Sequence, residues 1–149
     1  MSRLFSRQTN ELFTVKIKKI FRKGEEKHFS SMTIFLISTF IAVLLFEIEI
    51  AIVSLVFLVF GDMFGKIFGL AYGRHKILDK TLEGTLAHLG AVILFGYILY
   101  NTLDISLVVL IVGGITSPIA ELLPIEVNDN FTIPIMSGTV MTVAVFFRF

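Results

Sequence analysis

No cysteine and no tryptophan occur among the 149 residues, proline appears three times, and only 17% of the chain is charged. Without cysteine there is no disulfide framework, no thiolate metal site and no thiol nucleophile. Thirteen basic against twelve acidic residues leave a net charge of +1, too balanced for a general nucleic-acid binder. No Walker-type G-x-x-x-x-G-K-S/T run is present either. A soluble domain carries about 25% charged and about 45–50% apolar residues. Here the apolar share is 55% and the mean hydropathy is +0.86. That surplus has no soluble core to enter, so one integral membrane domain is expected.

Residues 1–28 are polar and basic, and they hold eight of the thirteen Lys and Arg. Phe13, Ile17, Ile20 and Phe21 recur at helical spacing opposite Lys16, Lys18, Lys19, Arg22 and Lys23. This predicts an amphipathic helix lying on an anionic cytoplasmic leaflet. The segment is too long for the n-region of a signal peptide, and no small-residue cleavage site follows Phe46. Residues 29–149 hold five apolar stretches, at 30–46, 48–72, 81–100, 105–122 and 132–147. Each reaches or approaches the ~20 residues that cross ~30 Å of hydrocarbon. The expected fold is all-α, a polytopic bundle of about five transmembrane helices. Basic residues crowd the N-terminal segment and the second connection (Lys66, Arg74, Lys76, Lys80), whereas the turns near Glu47, Glu49 and Asp104 have none. The positive-inside rule then places the N-terminus in the cytoplasm and the C-terminus outside, with loops 73–80 and 123–131 both cytoplasmic.

Several polar residues fall where a bilayer is costly. Asp62 follows an apolar run that begins at Ile50, roughly 9 Å inside the cytoplasmic boundary by helical rise. An acid in mid-span costs about 2.5–3.5 kcal/mol on insertion scales and calls for a partner, a cation or a wet cavity. Either an i,i+4 pair with Lys66 props the helix, or Asp62 is a ligand. Gly61, Gly65, Gly69 and Gly73 form a stripe that admits a neighbouring helix or a ligand. Thr81 can cap the third span, whose N–H groups and dipole, beside Arg74, His75, Lys76 and Lys80, suit a phosphate. In the fourth span Gly114, Ser117 and Glu121 share a face, and Pro118 should kink or break the helix. Asp129 or Asn130 would cap the fifth span, with Pro134 in its first turn. His88, among Ala87, Leu89 and Ala91, reads as a neutral packed residue rather than a ligand. Asp62, Glu121 and Asp129 thus converge on a cation-rich cytoplasmic face. Hard carboxylate oxygens suit Mg²⁺, which bridges carboxylates to substrate phosphates, and phosphoryl or nucleotidyl transfer depends on such charge neutralisation.

These residues resemble a family, the CTP-dependent lipid kinases, which include dolichol kinase, phytol kinase and the fungal-type diacylglycerol kinase and share a superfamily with phosphatidate cytidylyltransferase. Arg22 and Glu25 match an R-x-x-E element; Gly61-Asp62, with Lys66 behind, leads to Gly69 and Gly73 like the family's acid followed by G-x-x-x-G. Lys80-Thr81-Leu82-Glu83-Gly84-Thr85 is similar to a K-S/T-x-x-G-S/T block, and Gly113-Gly114, Glu121 and Asp129-Asn130-Phe131-Thr132-Ile133-Pro134 follow in order. The resemblance covers residues 20–149. It implies transfer of the CTP γ-phosphate to a lipid hydroxyl, a polyprenol, dolichol or diacylglycerol, at the cytoplasmic face. Asp62, Glu121 and Asp129 would hold Mg²⁺ or orient the hydroxyl. Lys80, Thr81, Gly84 and Thr85, helped by Asn130, would bind the nucleotide phosphates near Gly69 and Gly73. Leu70-Ala71-Tyr72 stands where relatives carry basic residues, which shifts phosphate contacts to Arg74, His75 or Lys76. Five helices are few to enclose a nucleotide and a lipid, so a homodimer is a further expectation. The rivals are a cytidylyltransferase making a CDP-lipid, though the K-D…G-H-G-G…D-R run is missing, and an ion-coupled transporter or structural membrane protein.

Overall fold

The computed structural model describes residues 31–124 and 127–147. The basic amphipathic segment expected at 1–28, with Arg22 and Glu25, lies outside the described residues. Helix α1 spans Ser31–Leu45. After Phe46 and Glu47 a second rod, Ile48–Tyr72, is built from α2 (Ile48–Val56), a π-helical turn (Phe57–Gly61) and α3 (Asp62–Tyr72). A small hairpin follows, β1 (Lys76–Ile77) antiparallel to β2 (Lys80–Thr81), with Lys76 opposite Thr81 and Ile77 opposite Lys80. The remaining helices are α4 (Leu82–Tyr100), α5 (Leu107–Leu122) and α6 (Asp129–Phe146).

The all-α expectation therefore holds, and the five apolar stretches correspond to five helical rods among the described residues. Local chemistry sets their ends. Thr81 Oγ1 accepts from Gly84 N at 3.2 Å, Ser106 Oγ from Val108 N at 3.3 Å, and Asn128 Oδ1 from Asn130 N at 2.9 Å. Each satisfies a helix-start donor that would otherwise lack a partner. Leu82 N donates to His75 O at 2.8 Å and ties the hairpin to α4. At the hairpin tip Leu78 has φ 54°, in the left-handed region that favours glycine.

Two expectations about proline change. The cap of α6 is Asn128, so the helix opens at Asp129 and Pro134 is its sixth residue, past the first turn. Proline offers no N–H to the carbonyl four residues back. That carbonyl, Asn130 O, instead accepts from Ser38 Oγ of α1 at 2.6 Å, which is what lets the helix begin early. Pro118 does not break α5 either. The helix continues to Leu122, with Ser117, Pro118, Ala120 and Glu121 all buried, and tertiary packing outweighs the local penalty.

From Ile34 onward the chain forms one compact unit. Its main core joins Ile50 and Val53 of α2, Phe57 of the π turn, Val92 of α4, Val109 and Leu110 of α5, and Met141 and Ala144 of α6. Leu58, Ala120 and Ile133 form a second cluster nearer the hairpin end. The outside is also apolar: Phe40, Leu70, Ile93 and Ile111 are among many large apolar side chains left exposed. Two helices, Ile48–Tyr72 and Leu82–Tyr100, are long and apolar enough to cross a membrane, and α1 and α5 are apolar but shorter.

Candidate functional site

The glycine stripe positions the site by removing bulk between α3 and α4. A Cβ at Gly69 would lie 2.9 Å from Thr81 Oγ1, and one at Gly84 would lie 2.8 Å from Gly65 O. Real Cβ atoms do not approach so closely, so these two helices touch backbone to backbone only because side chains are absent there. Gly73 packs in the same way against Thr81. It lines neither of the two cavities that Lys80 and Glu121 share.

Above the stripe lies a cavity of about 180 Å³ lined by Gly65, Gly69, Lys80, Thr81, Gly84 and Glu121, among others. A second, of about 260 Å³, is lined by Leu78, Asp79, Lys80, Glu121 and Asp129 among others. Lys80 and Glu121 belong to both, so they stand on the wall between them. Lys80 Nζ donates to Asp129 Oδ2 at 2.6 Å and lies 3.5 Å from Glu121 Oε1. Burial opposes the lysine's charge, but the hydrogen bond to Asp129 and the nearby carboxylates of Asp129, Glu121 and Asp62 outweigh it and raise the Lys80 pKa. The ammonium is therefore a fixed positive charge at neutral pH.

The three expected acids thus gather around Lys80, each with a cationic or polar partner. Asp62 Oδ2 pairs with Lys66 Nζ at 2.6 Å, the prop anticipated from their spacing. Asp62 Oδ1, by contrast, is buried without a hydrogen-bond partner. Glu121 is 4% exposed and is gripped from behind by His88, whose Nδ1 lies 2.8 Å from Oε2. Among the described residues no three His, Asp or Glu groups are spaced to share one metal ion. The buried carboxylate oxygen left without a hydrogen-bond partner, Asp62 Oδ1, is the one a Mg²⁺ ion could take, with phosphate oxygens and water at its other positions.

Other expected residues separate into two groups. Thr85 lines the smaller cavity, and its Oγ1 donates to Thr81 O at 3.2 Å. Thr81 spends its hydroxyl on the helix cap, so Gly84 N is not an open donor for a phosphate. Arg74, His75 and Lys76 are exposed on the hairpin side and line neither cavity. His75 turns to Glu83: its Nδ1 lies 2.8 Å from Glu83 Oε1, and its backbone N donates to the same carboxylate. Asn130 contributes to the α6 cap and to the Ser38 bond through its backbone.

His88 is packed, as expected, and it also makes two hydrogen bonds that the chain alone did not reveal. It is fully buried, yet it is no inert filler: Nε2 lies 2.7 Å from Ser117 Oγ and Nδ1 binds Glu121. Two signals were available, an ionisable side chain within a span and polar side chains at Ser117 and Glu121 one turn apart. The order Ser117–His88–Glu121 matches a hydrolase relay, but Ser117 is fully buried and no substrate reaches its Oγ. Compared with protein-family models, curated proteins and solved structures, the chain matches none.

Proposed function

We propose that this chain is a membrane-embedded, CTP-dependent lipid kinase that transfers the γ-phosphate of CTP to a lipid hydroxyl. The observation that carries the reading is Lys80, held between Asp129 and Glu121 on the wall of a glycine-floored cavity. A locked ammonium beside carboxylates is an arrangement that neutralises and aligns phosphates. In this reading Lys80 and Thr85 face the nucleotide, and Asp62 holds Mg²⁺ through its free oxygen. When bound, that ion neutralises phosphate charge. Glu121 Oε1 orients the acceptor hydroxyl. Five helices with an apolar exterior cross the bilayer, and the hairpin end, which carries the basic residues, faces the cytoplasm.

A groove supports a lipid as the acceptor. About 450 Å³ of apolar space runs between α4 and α5, lined by Leu89, Ile93, Gly96, Leu107, Ile111 and Gly114 among others. Leu89 stands one helical turn from Thr85 on the same face of α4, which sets one end of the groove beside the polar cavity. A hydrocarbon chain lying in it would bring its hydroxyl to the cavity.

The test is a transfer assay on purified protein in detergent, with Mg²⁺ and γ-labelled CTP or ATP offered to diacylglycerol, dolichol, a shorter polyprenol and phytol. Label is expected in one lipid from CTP, with CDP released, and is expected to fall at least about 100-fold in Asp62→Asn. Pyrophosphate release with phosphatidic acid present would replace the kinase with a cytidylyltransferase. No transfer of either kind would reject both.

A further inference from the structure

We propose that His88 is a positioning residue for Glu121, a role that rests on the kinase reading above. Glu121 offers two oxygens to different surroundings. Oε2 points into the helix interface and is held by His88 Nδ1 at 2.8 Å; Oε1 faces Lys80 and the cavity beside Gly65. A carboxylate only accepts hydrogen bonds. A ring proton on Nδ1 therefore donates to Oε2, and Nε2 lies 2.7 Å from Ser117 Oγ. Ser117 and Glu121 sit one turn apart on α5, so a single ring from α4 clamps both. The clamp closes around fully buried Ser117 and His88, away from water that would otherwise compete for these bonds.

The space for the ring comes from the other side. Gly61 ends the π-helical turn, and a Cβ there would collide with the imidazole of His88. Such turns often mark functional sites. Here the turn brings a side-chain-free position against the ring, and Asp62, the next residue, opens α3 toward the site. One backbone irregularity thus serves two of the three acids. His88 itself lines neither cavity and acts through Glu121: it fixes which oxygen points at the acceptor hydroxyl and prevents the carboxylate from rotating.

Asparagine and glutamine separate this role from mere packing. In Asn the amide nitrogen is bonded to Cγ, as Nδ1 is, and can still donate to Glu121. In Gln it is displaced one bond outward, toward Ser117. Purified His88→Asn, His88→Gln, His88→Ala and Ser117→Ala are compared with the unsubstituted chain for lipid phosphorylation, and their thermal midpoints are recorded. The expected kcat falls no more than about fivefold in His88→Asn and about 10–100-fold in His88→Gln and His88→Ala. KM for CTP stays within about twofold in all, and the two amide variants melt together. Ser117→Ala falls between, because the ring loses its own anchor but keeps Glu121. Equal activities of His88→Asn and His88→Gln, or losses that merely follow the melting temperatures, would overturn the positioning role while leaving the kinase reading intact. An unsubstituted chain that phosphorylates no lipid would overturn the kinase reading, and this role with it.

Discussion

Lys80 Nζ lies 2.6 Å from Asp129 Oδ2, joining the hairpin to the first turn of α6 across 49 positions of sequence. Asp129 also stands at a helix N-terminus, where a negative charge is favoured. The pair therefore fastens the end of the bundle that carries the cavities and holds an ammonium in place there. It is half of the site's electrostatics, with Glu121 completing the bracket around the lysine.

Replacing Lys80 should separate charge from length. Lys80→Met is expected to lose at least about 100-fold in transfer, and Lys80→Arg less, because the charge remains while its position shifts. Initial rates with labelled CTP measure both.

The same lysine predicts an alkaline effect. Its pKa in the folded chain is raised above the ordinary 10.5, so its contribution to stability is complete below that value and is lost as pH rises through the raised one. The gap in thermal midpoint between the unsubstituted chain and Lys80→Met should be constant from about pH 7 to 10 and narrow at higher pH. A gap unchanged through the alkaline range would refute this.

Two glycines of α4 should behave oppositely. At Gly84 a Cβ meets the backbone oxygen of Gly65 at 2.8 Å, whereas at Gly90 nothing lies within 4 Å. Gly84→Ala is expected to destabilise by about 1–3 kcal/mol as α3 and α4 are forced apart. Gly90→Ala should gain about 0.5–1 kcal/mol from helix propensity. Thermal unfolding in one detergent compares them directly.

Ser38→Ala should loosen the start of α6. It removes the donor that serves Asn130 O, the carbonyl Pro134 leaves without its helical partner. Losing this part-buried hydrogen bond is expected to cost about 0.5–1.5 kcal/mol. Faster hydrogen exchange confined to the first turns of α6 is the expected signature, and uniform exchange would count against it.

The absence of cysteine provides a clean background for mapping sides of the membrane. Leu78, at the hairpin tip, and Thr102, between α4 and α5, are both exposed. A membrane-impermeant maleimide should label Thr102→Cys in intact cells and Leu78→Cys only after the membrane is opened. The reverse pattern would invert the proposed orientation.

Helix number, helix type and most boundaries are written in local chemistry. The apolar runs, Thr81 as a cap and the short connections place the rods to within a few residues, because hydrophobic length and capping act over a handful of positions. The i,i+4 contact between Asp62 and Lys66 is legible for the same reason. The identities of Asp62, Lys80, Glu121 and Asp129 as an acid–base cluster at one end also follow from the chain alone. Their partners do not. Lys80 with Asp129, His88 with Glu121 and Ser117, and Ser38 with Asn130 all cross between elements. They depend on the rotation and depth at which one helix meets another. Those quantities are set by close approach at Gly65, Gly69 and Gly84 and by the wider π-helical turn before Asp62, which shifts the phase of everything beyond it. Apolar periodicity marks which residues are greasy, but in a chain apolar on almost every face it carries little information about which face turns inward. Packing supplied that direction, and with it the partners of His88, Glu121 and Ser117.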